Sequence, residues 1–410
     1  MNRIAITGIG VVSPLGSDIL TLWDNLIQAK SGIEYVEGFA GLPVTFGGPA
    51  RGFDPSRYLG TKEMRHLDRY SQMALTAGLD AYHQSSLNPD SYPPYKTGVL
   101  IGTGSGGIST LEKQIPAFID RGPRRVSPLT APMFIGNSAS AELAIRIQAK
   151  GPGMGISSAC ATGGHALAIA MRCIQAGDAD CMIAGGVEAC LTPFAIAAFS
   201  SMKALSTRND DPAGASRPFC SDRDGFVMSE GGAVLVLEDY SKAKERGAHI
   251  LAVLCGAGMS QDAYHIVAPD PKGDAVVYAM QKAIGDAGIS TDDIGYINAH
   301  GTSTPLNDKT ETLAIKKVFG EYAYQVPVSS TKSMTGHLIG GAAGLETAIC
   351  TLVLNNAMVP PTINLDSPDP ECDLNYIPDH AIDASVSFCL NNAFGFGGQN
   401  VSLVIGKDMG

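Results

Sequence analysis

The chain has 410 residues, 45 % of them hydrophobic and 17 % charged, against about 25 % charged in an average soluble protein. That balance excludes disorder over most of the chain and describes two or three domain-sized units with a large buried core or a buried subunit interface. The net charge is −11 at pH 7, from 29 Lys and Arg against 40 Asp and Glu, which excludes a dedicated nucleic-acid binder and demands a local basic patch for any acidic partner.

Residues 3–12, RIAITGIGVV, are an apolar run that stops at Ser13-Pro14-Leu15-Gly16, so a buried strand is predicted. Met1 to Val12 carries no basic stretch followed by a cleavable apolar one, and no secretion signal is expected. Helical spacing covers 61–88. TGVLIG at 97–102 predicts a second buried strand, entering the glycine-rich Thr103-Gly104-Ser105-Gly106-Gly107. Further strands are predicted at 181–187 and 233–238, and helices at 161–176 and 272–288.

HILAVLCGAG at 249–258 restarts the pattern as an opening strand. A helix from Asp274 to Gly288 follows, then a strand running into a polar loop at 294–304, a helix over 341–357 and a closing strand at 401–406. The prolines at 359–370 mark a surface connection. Alternating strands and helices predict an α/β class with a mostly parallel sheet. The restart predicts a duplicated fold, with halves at 1–250 and 251–410. No run of about 18 apolar residues exists, so no membrane span is expected. Nine cysteines without a CxxC pair argue against a disulfide framework and a zinc site. They suit a reducing compartment, so a cytoplasmic location is expected.

Cys160 sits in Ser157-Ser158-Ala159-Cys160-Ala161-Thr162-Gly163-Gly164, a small-residue turn entering a helical run. At a helix start, free N–H groups and the dipole lower a thiol pKa, so a nucleophile with a depressed pKa is expected. The competing reading is a buried structural cysteine, which the other eight receive. His300 and His337 each follow a strand and precede a glycine-bearing loop, positions where reacting groups collect. The other six histidines read as ordinary. Asn391 to Asn400 is a glycine-dense loop, either a plain turn or a loop whose N–H groups face developing negative charge.

SSACATG, NAHGTSTPLND, STKSMTGHLIGGAAG and FGFGG occur in that order, and with them the chain resembles the β-ketoacyl-[acyl-carrier-protein] synthases of the thiolase superfamily, above all the type II elongating condensing enzymes. The resemblance runs over essentially the whole chain. It implies the five-layered αβαβα thiolase-like fold, built from two similar halves, and a homodimer. It implies that Cys160 takes an acyl group as a thioester, and that His300 and His337 assist decarboxylation of malonyl carrier protein. Lys332 and Glu346 match an ordering charged pair. The N–H groups of Cys160 and Phe396 match an oxyanion hole, and Phe396 a gate. Ser105, Ile108, Ala131, Ala159, Ala195 and Phe199 match an acyl tunnel, with Thr302 and Thr304 also assigned to substrate. Lys62, Arg65, Arg124, Arg125 and Arg208 match positions that face the carrier protein. No metal and no cofactor are implied, because the substrates ride on the phosphopantetheine of acyl carrier protein.

The chemistry suits these residues. A Claisen condensation needs a nucleophile that is also a good leaving group, and neutral histidines can stabilise charge on a thioester oxygen. Ser229, Ser105 and Ser138 depart from the family pattern, and the latter two leave acyl length open. A second reading is a ketosynthase of a polyketide or polyene pathway, paired with a chain-length partner. A third is a non-catalytic partner subunit, which the presence of Cys160, His300 and His337 opposes. A cysteine hydrolase is disfavoured because no feature activates water.

Overall fold

A computed structural model describes residues 3–410. Ten strands join edge to edge: β1 (Ile4–Val12), β2 (Thr97–Gly102), β3 (Gly153–Met154), β4 (Cys181–Glu188), β5 (Gly231–Asp239), β6 (Ala252–Gln261), β7 (Ile294–Asn298), β8 (Val328–Ser329), β9 (Phe388–Gly395) and β10 (Gln399–Gly406). Their order is β8-β7-β9-β10-β6-β1-β5-β4-β2-β3.

One topology occurs twice. In the first half β1 pairs antiparallel with β5 and β5 antiparallel with β4, while β4–β2 and β2–β3 are parallel. In the second half β6 pairs antiparallel with β10 and β10 antiparallel with β9, while β9–β7 and β7–β8 are parallel. The halves meet where Ile4–Ile6 pair with Ala252–Leu254. The sheet is therefore mixed rather than mostly parallel, because the last strand of each half returns beside the first.

Seven helices position the layers: α1 (Arg69–Gln84), α2 (Ile108–Arg121), α3 (Ser138–Ile147), α4 (Thr162–Gln175), α5 (Asp274–Ala287), α6 (Pro305–Phe319) and α7 (Ala342–Asn356). α1 and α3 cover the outside of the first half-sheet, while α5, backed by α6, covers the second. α4 and α7 lie between the half-sheets and touch both. This is the five-layered αβαβα arrangement. Every residue of α7 from Ala342 to Leu354 is buried, as expected for a helix covered on all sides. β1, β4 and nearly all of β5 are likewise buried, which is why they read as unbroken apolar runs.

The two central helices start alike. Each follows a single 3-10 turn, Ala159–Ala161 before α4 and Ile339–Gly341 before α7. The first residue of each turn is left-handed, φ +49° at Ala159 and +45° at Ile339. Glycine lets these helix starts abut: a Cβ on Gly163 would lie 2.8 Å from the Gly344 nitrogen and 3.4 Å from Gly186 Cα.

Three further expectations fail. The helix expected over 61–88 is a turn at Thr61–Met64 and a separate α1, because Asp68 stops the chain between them. Asp68 Oδ1 accepts the Tyr70 N–H, while Oδ2 accepts the Thr110 N–H and hydroxyl. The glycine-dense loop expected at 391–400 is mostly strand: Asn391–Gly395 end β9, and only Phe396–Gly398 turn. The asparagines belong to the core, with Asn391 Nδ2 donating to Thr347 Oγ1 at 2.9 Å and Ser402 donating to Asn392 Oδ1 at 2.8 Å. The proline segment is not a surface connection at its start, since Val359 to Ile363 are buried. There the Thr362 N–H donates to the Ile377 carbonyl, and its hydroxyl accepts the Ser330 N–H.

Candidate active site

Cys160 lies in the 3-10 turn before α4 and lines a cavity of about 400 Å³. The left-handed Ala159 beside it is held by Thr162, whose hydroxyl accepts the Ser158 N–H at 2.8 Å and donates to the Ala159 carbonyl at 2.7 Å. The β9–β10 turn closes on this segment. A Cβ on Gly395 would sit 2.8 Å from the Ser158 carbonyl oxygen, so only glycine allows that approach. The Phe396 N–H and the N–H of Cys160 itself both face the sulfur.

Burial nonetheless pushes the Cys160 thiol up to about 11, with the two N–H groups and the Lys332 charge pulling the other way and Glu188 adding to the rise. The expectation of a depressed thiol pKa is therefore overturned: the helix start is present, but desolvation outweighs it. The resting group at neutral pH is the thiol.

His300 follows β7, and His337 follows a short helical turn, Lys332–Thr335, after β8. One ligand-type atom from each of Cys160, His300 and His337 lies within 4.8 Å of the others. The imidazoles meet edge to face, centroids 5.4 Å apart at 84°. The backbone of His337 is fixed at both sides, its N–H donating to Val227 at 2.7 Å and its carbonyl accepting from Ser229 at 3.0 Å. The side chain is unengaged: neither His337 ring nitrogen, nor His300 Nδ1, has a hydrogen-bond partner among the described residues. Burial, then the Lys332 charge, hold both imidazoles well below the ordinary histidine pKa, with His337 adding a further push on His300. Both are neutral donors or acceptors at neutral pH. The trio is made of metal-ligand types, but the buried ammonium that suppresses imidazole protonation also opposes a divalent cation.

Lys332 pairs with Glu346 on α7, both fully enclosed. Burial raises the Glu346 carboxyl and the Lys332 charge opposes that rise. Two further acids hold the His300 loop, and the sequence reading missed both. Glu311 on α6 accepts the His300 N–H on Oε1 and the Gly301 N–H on Oε2, each at 2.8 Å. Burial pushes it up to about 7, against those two hydrogen bonds. Asp308, one turn earlier, accepts the Phe219 N–H at 2.9 Å and pairs with Arg223 at 3.2 Å. Their signal is an i, i+3 acid pair following Pro305, a pattern that ordinarily means an exposed helix start.

Of the residues assigned to substrate, Thr302 and Thr304 line the cavity with the trio and Phe396. The tunnel residues do not line it. Ile108, Ala195 and Phe199 pack with Phe396 into one apolar cluster beside it, Phe199 and Phe396 stacked at 6.3 Å. Ala159 belongs to the Cys160 turn, while Ser105 and Ala131 are exposed in the single chain. Of the cations, Lys62, Arg65, Arg124 and Arg125 are exposed, whereas Arg208 is drawn to Asp222 at 2.9 Å. Lys203 was not singled out, yet it is exposed on the cavity rim and has no ion pair among the described residues. His265 is on the same rim, its Nδ1 accepting the N–H groups of Val267 and Ala268.

This geometry coincides with a family match over nearly the whole chain: the β-ketoacyl synthase N-terminal domain matches residues 1–243 and its C-terminal domain residues 251–366. The chain belongs to the β-ketoacyl synthase family. It is 46 % identical over 408 residues to a 3-oxoacyl-[acyl-carrier-protein] synthase 2 of Synechocystis sp., covering 99 % of this chain and 98 % of that one. A protein of the same name from Coxiella burnetii is 44 % identical over 408 residues, covering 99 % of each. Among solved structures, a β-ketoacyl synthase from Burkholderia phymatum superposes with a TM-score of 0.92 at 33 % identity, over 100 % of both chains. A type II polyketide ketosynthase bound to its acyl carrier protein superposes with a TM-score of 0.93 at 34 % identity, over 99 % of this chain and 100 % of that one. Ser229 is buried, and its hydroxyl, with no hydrogen-bond partner among the described residues, is wedged against Gly48 and Gly336.

Proposed function

We propose that this chain catalyses decarboxylative condensation of an acyl group held on Cys160 with malonyl-acyl carrier protein, giving a 3-oxoacyl-acyl carrier protein and CO₂ in fatty acid elongation. The observation that carries this reading is one buried thiol within 4.8 Å of two neutral, unengaged imidazoles beside a fixed ammonium. Acyl loading forms a C–S bond to Cys160 and breaks the one to pantetheine. The thiol proton leaves with the departing carrier thiol. The carboxyl of the malonyl group then departs as CO₂, and its electron pair forms the new C–C bond at the thioester carbon. The Cys160 sulfur leaves and regains a proton. Charge builds on two thioester oxygens during this sequence. His300 and His337 stabilise one, and the N–H groups of Cys160 and Phe396 the other. Burial, reinforced by Lys332 held by Glu346, keeps both imidazoles unprotonated. No helix among the described residues is long and apolar enough to cross a membrane.

The partner is an acyl carrier protein, received by Lys62, Arg65, Arg124 and Arg125 together with Lys203 at the rim. A second copy covers the apolar outer face of α2, where Ile115, Phe118 and Ile119 are 52 %, 51 % and 70 % exposed. In that homodimer the exposed Ser105 and Ala131 become pocket wall. The chain divides functionally at residue 250, the first half carrying the nucleophile and the second the histidines. A polyketide or polyene role with a chain-length partner is favoured by one observation, the small Ser105 where a bulky aliphatic residue is usual.

The test is reconstitution with acyl- and malonyl-carrier protein. The expected result is a product two carbons longer with one CO₂ per turnover. Carrier-bound acyl groups that are hydrolysed instead, with no chain extension, would overturn the reading.

A further inference from the structure

Glu188 ends β4 with a fully buried carboxylate that has no cation within ion-pair distance among the described residues. Four neutral donors satisfy it. Oε1 accepts the Thr103 hydroxyl at 3.1 Å and the Ser105 N–H at 3.2 Å. Oε2 accepts the Gly104 N–H at 2.7 Å and the Gly340 N–H at 3.2 Å. These donors come from two different segments. Thr103–Ser105 follow β2, and Gly340 belongs to the turn just after His337. A third segment joins through Gly104, whose carbonyl accepts the hydroxyl of exposed Ser157, two residues before the nucleophile's turn, at 3.4 Å. Both glycines are pressed onto the carboxylate: a Cβ on either Gly104 or Gly340 would lie 2.8 Å from Oε2.

A buried carboxylate without a counter-charge is costly: burial raises the Glu188 carboxyl above its ordinary range, and the four hydrogen bonds to its charged form oppose that rise. A hydrophobic replacement would leave four converging donors unpaired, each at the cost of its desolvation. We propose that Glu188 is a positioning residue that locks the Ser105 loop, the nucleophile's turn and the turn after His337 into one rigid body, so that the acyl-pocket wall and the reacting groups are set together. Acyl groups that displace the Ser105 loop thereby displace Gly340, and those that fit leave the histidine turn undisturbed. Selection of acyl length then follows from the stiffness of this joint as well as from the size of the pocket. Burial is the main reason the Cys160 thiol stays protonated; the Glu188 charge adds to that effect and the Lys332 charge opposes it.

The length-selection part rests on the proposed condensing function; the electrostatic part does not, which separates the two failures. The experiment uses the full chain with Glu188→Gln, Glu188→Asp and Thr103→Val. Iodoacetamide alkylation of Cys160 is followed by intact mass across pH, and acyl loading is measured across carrier-bound chain lengths. Glu188→Gln is expected to move the alkylation midpoint to lower pH, with at least about a threefold faster reaction at pH 8. Glu188→Asp, which keeps the charge, should hold the wild-type midpoint. Both Glu188→Gln and Thr103→Val should flatten the chain-length profile, Thr103→Val without moving the midpoint. If Glu188→Gln does not fold, Thr103→Val alone decides, because a wild-type length profile in it overturns the proposal. A Glu188→Gln protein that folds and keeps both the midpoint and the profile overturns it equally. If wild type loads no acyl group at any length, the condensing function falls while the alkylation shift still stands or fails by itself.

Discussion

Lys332 and Glu346 form an ion pair with side chains only 1 % and 3 % exposed, one on the turn that leads to His337 and the other on the central helix α7. The pair supplies a fixed positive charge beside two buried imidazoles. Removing one partner strands the other in a low-dielectric interior, which costs about 3–5 kcal/mol. Glu346→Gln should therefore lower the unfolding free energy by about that amount, as read by chemical denaturation. Lys332→Met should in addition raise the pKa of both histidines, because the charge that opposes their protonation is gone. The expected readout is an acid limb of the decarboxylation rate displaced to higher pH. An unchanged pH profile would show that the ammonium does not act on the imidazoles.

The two histidines should separate the half-reactions. His300→Ala and His337→Ala should each still accept an acyl group on Cys160, while CO₂ release falls about 10²–10³-fold, the usual cost of one preorganised donor. Single-turnover loading and CO₂ release, measured on the same preparations, check this.

Glu311 gives a pH dependence with a definite sign. Its folded pKa of about 7 is above the ordinary carboxyl value of 4.5, so the folded protein takes up a proton between those values. Its contribution to stability is complete below pH 4.5 and is lost as pH rises through 7. Function runs the other way, because the ionised carboxylate accepts both the His300 and the Gly301 N–H. Decarboxylation should weaken as pH falls through about 7, and Glu311→Gln should remove that step from the profile while lowering the plateau.

The sequence marked the strands well because both faces of each half-sheet are covered, so burial appears as unbroken apolar runs; TGVLIG is strand β2 from end to end. Cys160, His300 and His337 stood out by their small-residue and glycine surroundings, and the fold brings the three within 4.8 Å of one another. What was not legible depends on distant partners. Asp68 breaks a helical pattern through bonds to Ser109 and Thr110, some forty residues away. Asn391 and Asn392 look like loop residues until α7 and β10 supply their partners. The high pKa of Cys160 comes from burial that no local window contains. Glu311 looks like a solvated helix-start acid, and only the fold brings the His300 N–H to it.

Carrier recognition should divide the cations. Arg124→Glu with Arg125→Glu, and separately Lys203→Glu, should raise KM for carrier-bound substrate and barely affect a short pantetheine thioester. Arg208→Ala should instead loosen the loop that Asp222 holds, and change both substrates alike.

Ser105→Ile should narrow the accepted range toward short acyl groups by filling about three carbons' worth of space, each CH₂ being worth about 0.8 kcal/mol when well packed. Acetyl or butyryl loading of Cys160 should persist. Loading rates across chain lengths for both proteins decide it, and an unchanged profile would remove Ser105 from the pocket wall.

The central claim is that Cys160 carries the acyl group. Intact-protein mass spectrometry after incubation with a ladder of acyl-carrier proteins tests it most directly. Wild type should gain the mass of one acyl group, mapped by peptide digestion to Cys160, and Cys160→Ala should gain none while keeping its fold. An adduct that persists in Cys160→Ala, or one that maps to any other cysteine, would contradict the account.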